Sequence, residues 1–259
     1  MHFHNGVDTF RQRMLDGEIC VGTSVQVTDS LMAEVAAEAG NDFVWIEMEH
    51  SHLDLPALLN HIIALRGTGA AAMVRIAWND PVLIKPVVDM CPAAIVVPMI
   101  RTAAEALKAV QACHYPPKGV RGFGPMRNMY GIDSMAEYLE VAEEQILVFV
   151  QIEHIDAVDE LDAILATPGL DGIVLGRNDL SGSMGKLGQH SDPEVQAVIE
   201  TVFAKARETD LFVGVSVGYD LEVVEKWRPQ GVHFFSIGGD VDYFFDTAKE
   251  VADKVRTLG

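Results

Sequence analysis

Apolar residues occur along this chain in eight short runs that are rich in Val, Ile, Phe and Ala and are bounded by Gly, Pro or Asp. Short continuous apolar runs are typical of strands that are buried on both faces of a parallel sheet. The predicted strands lie at residues 20–27, 42–47, 71–76, 93–98, 146–151, 172–175, 212–215 and 233–237.

Between these runs the apolar spacing changes to that of amphipathic helices. Leu31, Val35 and Ala39, for example, fall on one face of a helix. Strands that alternate with helices predict parallel β-α units, and eight such units close into a barrel more often than they form an open sheet. We therefore predict an α/β fold with a single (β/α)8 TIM-barrel domain over residues 1–259. The main predicted helices lie at 30–39, 102–112, 133–144, 193–208 and 240–258.

One connection, residues 113–145, is much longer than the others and follows the fourth β-α unit. Loops of this length are usually functional or carry secondary structure of their own. The segment opens with Tyr115-Pro-Pro-Lys-Gly-Val-Arg121-Gly-Phe-Gly124, in which proline restricts the backbone and glycine permits close approach to a ligand. We interpret it as a functional loop insertion, with an ordinary surface excursion as the alternative.

Charge and cysteine content narrow the classes of partner. The chain has 19 Lys and Arg against 38 Asp and Glu, a formal charge of −19, which repels nucleic acid and anionic membranes. Its three cysteines lack Cys-x-x-Cys spacing, no run of eighteen apolar residues occurs, and no secretory leader pattern opens the sequence. These features predict a soluble cytoplasmic protein that binds neither nucleic acid nor membrane.

Two carboxylates stand at the carboxyl ends of neighbouring predicted strands: Glu153 after the fifth run and Asp179 after the sixth. In barrels the chemistry lies where the strands end. A hard divalent cation often takes only one or two protein carboxylates and keeps its other positions for water and an anionic substrate. The pair therefore predicts a metal site, although both residues could be solvated loop acids.

Further candidates follow the second and third runs. Histidine is the side chain type whose unperturbed pKa lies nearest neutrality. Glu47, three residues before His50, could orient the ring of His50, so the two form a candidate base dyad. A surface or packing role is the alternative for His50. Arg75 ends the third run and could grip a carboxylate with two parallel hydrogen bonds, or form a salt bridge at the barrel rim.

Ordered motifs over residues 22–255 make the chain resemble the class II pyruvate-dependent aldolases of the HpcH/HpaI family. This group includes the 4-hydroxy-2-oxoheptanedioate and 2-dehydro-3-deoxyglucarate aldolases. The motifs are Glu49-His50, Val74-Arg75, Leu83-Ile-Lys-Pro-Val-Val-Asp89, Val97-Pro98-Met99, Tyr115-Pro-Pro-x-Gly-x-Arg121-Gly, Gln151-Ile-Glu153 and Asp179-Leu-Ser-x-Ser-Met-Gly185.

The resemblance implies a role for each strand-end residue. Glu153 and Asp179 match the family's ligands for a divalent metal, Mg²⁺ or Mn²⁺, with Co²⁺ as a further candidate. His50 matches a catalytic base that acts with a metal-bound water. Arg75 matches the guanidinium that binds the pyruvyl oxygen and the developing enolate.

The resemblance also assigns residues outside this group. Gln151 and Ser181 are implied to bind the substrate, and Arg121 lies in the loop motif that meets its aldehyde end. The sequence alone favours a helix cap at Asp89, whereas the resemblance implies an acid that reaches the site across a subunit boundary. It further implies a homohexamer, a trimer of dimers, in which the helix at 240–258 is exchanged between subunits.

Two residues depart from the family pattern. The family usually has Asp where this chain has Glu47, so the carboxylate beside His50 is one methylene longer. Arg177 stands where many relatives have Pro. It could bind a more acidic acceptor substrate, or it could face solvent or pair with a surface acid.

These observations together predict a class II carbon-carbon lyase that reversibly cleaves a 4-hydroxy-2-oxo acid to pyruvate and an aldehyde. A cation and Arg75 would stabilise the pyruvate enolate. A Schiff-base route would need a lysine at a strand end, and none of the eight runs ends in Lys. Oxaloacetate decarboxylation and lyase chemistry on an acyl thioester at the same site are alternatives, and a keto-acid-binding protein is the alternative that is not an enzyme.

Overall fold

A computed structural model describes residues 3–258, and its strands form a closed parallel barrel in which each strand pairs with its neighbours in the sequence. The first and last strands pair with each other and complete the barrel. The predicted (β/α)8 TIM-barrel fold is therefore confirmed. The strands are Cys20–Val25 (β1), Phe43–Glu47 (β2), Ala71–Arg75 (β3), Ala94–Val97 (β4), Leu147–Ile152 (β5), Gly172–Leu175 (β6), Phe212–Val217 (β7) and Phe234–Gly239 (β8).

The predicted helices are present, and they begin and end within a few residues of the predicted bounds. The helix predicted to begin at Thr102 begins one residue later, because Thr102 is its N-cap. The Thr102 side chain accepts a hydrogen bond from the N–H of Glu105, and the Glu105 carboxylate accepts one from the N–H of Thr102. The helices are Val7–Leu15 (α1), Leu31–Glu38 (α2), Leu55–Ala64 (α3), Pro81–Asp89 (α4), Ala103–Cys113 (α5), Met135–Val141 (α6), Ile155–Asp159 (α7), Leu161–Leu165 (α8), Arg177–Ser183 (α9), Pro193–Ala206 (α10), Leu221–Trp227 (α11) and Asp240–Arg256 (α12).

The first helix closes one end of the barrel. Phe10 of α1 packs against Phe43 and Phe234, which begin β2 and β8, with ring centroids 5.3 and 5.7 Å apart. The Phe234 ring fills space that a side chain at Gly214 would need, because a Cβ atom there would lie 2.0 Å from Cζ of the ring. Aromatic packing thus fills the amino-terminal end, and the opposite end, where the strands finish, holds the polar cluster described below.

The long connection lies away from the strand ends. Helices in a β/α barrel run antiparallel to the strands, so α4 and α5 both finish at the amino-terminal face. Residues 114–134 join α5 to α6 through a series of turns. Asp89, the last residue of α4, lies on this same face. Within residues 3–258, no helix is long and apolar enough to span a membrane.

Candidate active site

Buried polar side chains converge at the carboxyl ends of β2, β3 and β5. Arg75, the last residue of β3, donates from Nε to Glu47 Oε2 at 2.7 Å. Its Nη1 donates to Gln151 Oε1 at 3.5 Å, and Gln151 Nε2 donates to Glu153 Oε2 at 2.5 Å. One chain of hydrogen bonds therefore joins side chains that are more than one hundred residues apart in sequence. The structure brings together the predicted residues Glu47, Arg75, Gln151 and Glu153.

Glu47 is fixed on every side. Its Oε2 also accepts from the Trp45 indole N–H at 3.1 Å, and its Oε1 accepts from the backbone N–H groups of Glu49 at 2.7 Å and His50 at 3.0 Å. Burial alone would raise the pKa of Glu47, but the charge and hydrogen bond of Arg75, with the other donors, lower it below its usual value. Glu47 is therefore an ionised anchor for Arg75 and for the turn that carries His50.

The His50 ring projects outward, with 65% of its side chain exposed. Its Nε2 lies 3.7 Å from Glu49 Oε2, whereas Glu47 contacts His50 only through the backbone N–H. The carboxylate nearest the ring is thus Glu49, which the sequence analysis did not select. The signal was present in Glu47-Met-Glu49, because alternate residues of an extended strand end point to the same side.

The positive charges and hydrogen-bond donors around Glu49 and Glu153 only partly compensate the negative charge of these two carboxylates. Burial, together with nearby Glu47 and Asp179, raises the pKa of Glu49 against the effect of Arg75 and His50. Burial, with Glu49 and Asp179, raises the pKa of Glu153 to about 7, although the N–H of Met99 and the charge of Arg75 oppose the shift. A bound cation would stabilise the ionised forms of these two carboxylates.

The position of Glu153 depends on two unusual backbone sites. Met99 has a left-handed φ of 57°, rare for a residue with a side chain, and its N–H donates to Glu153 Oε1 at 2.7 Å. Gly176 lies on the other side, where a Cβ atom would stand 2.5 Å from Glu153 Oε2 and 2.8 Å from Gln151 Nε2. Only glycine leaves room for both side chains at this point.

The helix after β6 carries three predicted site residues. Asp179 is exposed in the first turn of α9, and its charge acts on Glu49 and Glu153. Ser181 is buried, and its Oγ donates to Asn178 O at 2.8 Å within the same helix. Arg177 pairs through Nη1 with Asp220 Oδ2 at 3.2 Å, which is one of the two alternatives for this residue, pairing with a nearby acid.

The donor set suits a hard divalent cation. Glu49 Oε2 is buried and has no hydrogen-bond partner of good geometry within residues 3–258, although Arg75 Nη1 lies 3.2 Å away. Carboxylate oxygens are the ligands that Mg²⁺ and Mn²⁺ prefer. The described residues contain no cluster of three or more His, Cys, Asp or Glu side chains in metal-binding geometry.

Asp89 and Arg121 lie on the opposite face of the barrel from this cluster. Arg121 Nη2 donates to Asp89 Oδ1 at 2.8 Å, and its guanidinium stacks over the Tyr115 ring with Cζ 4.4 Å from the centroid. Both predicted residues are therefore brought together, but away from the carboxyl ends of the strands.

The chain belongs to the HpcH/HpaI aldolase/citrate lyase family, whose model matches residues 22–247. It is 35% identical over 251 residues to a hydroxypyruvate/pyruvate aldolase of Pseudomonas aeruginosa, covering 96% of this chain and 93% of the relative. A 5-keto-4-deoxy-D-glucarate aldolase of Citrobacter koseri is 32% identical over 249 residues, covering 95% and 96% of the two chains.

A solved structure has the same fold over almost its whole length. The crystal structure of an HpcH/HpaI aldolase from Desulfitobacterium hafniense has a TM-score of 0.90 and 25% sequence identity, covering 96% of this chain and 97% of that one. The resemblance drawn from the sequence motifs is thus confirmed at the level of family and fold.

Proposed function

We propose that this protein catalyses the metal-dependent, reversible aldol cleavage of a 4-hydroxy-2-oxo acid to pyruvate and an aldehyde. The similarity to two kinds of aldolase supports the reaction class. The observation that carries the proposal is Arg75, a largely buried guanidinium that Glu47 holds beside Gln151 and next to the acids Glu49 and Glu153. The fixed guanidinium of Arg75 could bind an anionic keto acid, and the carboxylates of Glu49 and Glu153 beside it could bind a metal ion.

Glu153 and Asp179 would hold the metal, Mg²⁺ or Mn²⁺, with Glu49 close to them. When bound, such a cation supplies Lewis-acid stabilisation of negative charge on the keto-acid oxygen. The Met99 N–H and the space at Gly176 hold Glu153 in one orientation, which pre-organises its carboxylate for this role.

Arg75 would bind the oxygen on which charge develops as the bond between C3 and C4 breaks. Its hydrogen bonds to Glu47 fix the guanidinium before the substrate arrives, so little reorganisation is needed during the reaction. Gln151, held between Arg75 and Glu153, would orient the keto acid.

His50 would take the proton from the 4-hydroxyl group of the substrate. The C3–C4 bond then breaks, the hydroxyl carbon leaves as an aldehyde, and the electron pair remains on the pyruvate fragment as its enolate. Protonation at C3 completes pyruvate. The exposed ring suits this role, because a proton acceptor must reach the aldehyde end of the substrate, and Glu49 lies close enough to stabilise its charged form.

We propose that a neighbouring subunit completes the site. Asp89 lies at the amino-terminal face, away from the strand ends of its own chain, so a catalytic role for it would be in the site of another copy. We propose the homohexamer that the family resemblance implies, with α12 exchanged between subunits. Exposed apolar residues of α12, among them Phe244 and Val251, line an open groove of about 710 Å³ beside α2, which supports helix exchange.

The decisive test couples pyruvate release to lactate dehydrogenase and uses 4-hydroxy-2-oxo acids as substrates. We expect release that EDTA abolishes and that Mg²⁺ or Mn²⁺ restores, with Glu153→Gln inactive under every condition. Release that EDTA leaves unchanged would overturn the metal role. If only oxaloacetate or an acyl thioester is consumed, the same site performs decarboxylation or acyl-thioester lyase chemistry. If nothing is consumed but pyruvate binds, the protein is a keto-acid-binding protein.

A further inference from the structure

The charged side chain of Arg121 is almost completely buried. Only 2% of its side chain is exposed. Burial of a guanidinium is unfavourable unless charge and hydrogen bonds compensate it. Within residues 3–258, the guanidinium of Arg121 donates hydrogen bonds from Nη2 alone, to Asp89 Oδ1 at 2.8 Å, Asn128 Oδ1 at 3.2 Å and the carbonyl of Val88 at 3.4 Å, and its buried Nε has no hydrogen-bond partner. Asp89 is its only charged partner among these groups.

The two partners differ in their access to the surface. The Asp89 side chain is 29% exposed, so the carboxylate forms the outer end of a pair whose inner end is buried. One oxygen, Oδ1, receives the hydrogen bond from Arg121. No hydrogen bond to the other oxygen, Oδ2, occurs within residues 3–258, and it lies beside Gly124, whose missing side chain keeps the space open. Asp89 Oδ2 is thus available to a group outside this chain.

The surrounding loop is built to hold this pair in place. The N–H of Arg121 donates to His114 O at 2.9 Å, which ties the loop to the end of α5. Asn128 Nδ2 donates to the carbonyl of Val88 at 3.3 Å, and Gln145 Nε2 donates to the carbonyl of Asn128 at 2.7 Å. These bonds connect the loop to the last turn of α4, where Asp89 lies.

The outer side of the same loop is apolar. Val120, Phe123 and Met126 have exposed fractions of 63%, 56% and 82%. Exposed apolar residues grouped on one loop favour contact with another protein surface. A second copy of this chain would provide such a surface, and its His50 ring is exposed, with Nε2 3.7 Å from Glu49 Oε2.

We infer that Arg121 is a positioning residue that fixes Asp89 for the active site of a neighbouring subunit, and that it does not itself touch the substrate. The inference rests on the proposed function. It assigns Arg121 a role different from direct contact with the aldehyde. A guanidinium with 2% exposure, covered by Tyr115 and bonded to Asp89, would act on a substrate through that carboxylate.

A double-mutant cycle tests the inference with Asp89→Asn, Arg121→Met and the double variant. We expect each single change to lower kcat by about 10- to 100-fold, because the carboxylate is lost or misplaced. The double variant should be no more than about twofold slower than the slower single variant, since both changes remove the same interaction. KM for the aldehyde in the synthetic direction should stay within about twofold for Arg121→Met.

Two further variants separate positioning from a general loss of structure. Arg121→Lys keeps a charge and should recover part of kcat. Arg127→Met is the matched control, because Arg127 belongs to the same loop and donates to the carbonyl of Met90 at 3.1 Å but does not contact Asp89. It should leave kcat within about twofold of the parent. A loss with Arg127→Met as large as that with Arg121→Met would mean that any damage to the loop suffices, and would overturn the inference.

Thermal unfolding of the same variants gives a readout that needs no activity. The losses in Tm for Asp89→Asn and Arg121→Met should be clearly non-additive in the double variant. Additive losses in Tm or in log kcat, or a raised KM for the aldehyde with unchanged kcat in Arg121→Met, would overturn the inference alone. A parent that releases no pyruvate would refute the proposed function and the catalytic part of the inference, and the Tm cycle would still decide whether Arg121 holds Asp89.

Discussion

Arg75 and Glu47 form a two-donor ion pair at the carboxyl ends of β3 and β2, with Nε 2.7 Å and Nη2 2.5 Å from the same carboxylate oxygen. The two residues end adjacent strands and are paired in register, so strand pairing itself sets their approach. This contact points the remaining guanidinium N–H groups toward Glu49 and Gln151. It converts a flexible side chain into a fixed donor.

Replacement of Glu47 by Gln should therefore act through Arg75. We expect kcat/KM for pyruvate release to fall by about 100-fold, because the guanidinium loses the charge that fixes it in place. Steady-state kinetics with the lactate dehydrogenase coupling measures this effect. Glu47→Asp is the matched control, since it retains the charge and should keep activity within about tenfold of the parent. A larger loss in Glu47→Asp than in Glu47→Gln would mean that side-chain length, not charge, matters at this position.

Replacement of Arg75 by Lys should cost about 3 kcal/mol of transition-state stabilisation, roughly a hundredfold in kcat/KM. Lysine keeps the charge but cannot contact Glu47, Glu49 and Gln151 from one planar group. The measurement is kcat/KM at saturating metal, with metal affinity determined in parallel. A variant that loses metal affinity but keeps kcat would place Arg75 in metal binding instead of charge stabilisation.

A side chain at residue 176 should displace Glu153. We expect Gly176→Ala to weaken Mn²⁺ binding by at least about tenfold, because its Cβ would lie 2.5 Å from Glu153 Oε2. Isothermal titration calorimetry of the metal-free protein gives the affinity directly. Gly218→Ala is the control, since Gly218 follows β7 at the same end of the barrel and has no atom within 4 Å of the added Cβ. Unchanged Mn²⁺ affinity in Gly176→Ala would argue against Glu153 as a ligand.

Glu153 should make the metal-free protein less stable as pH rises from about 4.5 to about 7. Burial first, then the charges of Glu49 and Asp179, raises the pKa of Glu153 from an ordinary 4.5 to about 7. Between these values the unfolded chain loses a proton that the folded protein keeps, so the free energy of unfolding decreases with pH, by up to about 3 kcal/mol. The raised pKa of Glu49 acts in the same direction, whereas the lowered pKa of Glu47 acts only at more acidic pH.

Urea unfolding in EDTA at several pH values measures this slope. Glu153→Gln should flatten it, because an amide has no proton to lose. Saturating Mn²⁺ should also reduce it, since a bound cation favours the ionised carboxylates. A slope that is the same in the parent and in Glu153→Gln would contradict the assignment of the raised pKa to this residue.

Local patterns in the sequence were sufficient to predict the order of the strands and helices. They were also sufficient to predict which end of the barrel carries the polar groups. Glu153 and Arg75 could be selected because each follows an apolar run whose strand must end there. Helix α1 was not predicted. It covers one end of the barrel, and its role depends on contacts of Phe10 with Phe43 and Phe234, which are distant in the sequence.

The sequence by itself determined the parallel barrel, because strand and helix periodicities and the buried runs are local properties of the chain. Only the tertiary structure decided which partners the charged residues take. Glu47 was expected to orient the His50 ring, yet its carboxylate binds Arg75 and leaves Glu49 nearest the ring. Arg121 likewise finds Asp89, 32 residues earlier. Such pairings follow from barrel closure and helix packing, which bring distant residues within a few ångströms, and no local pattern encodes that approach.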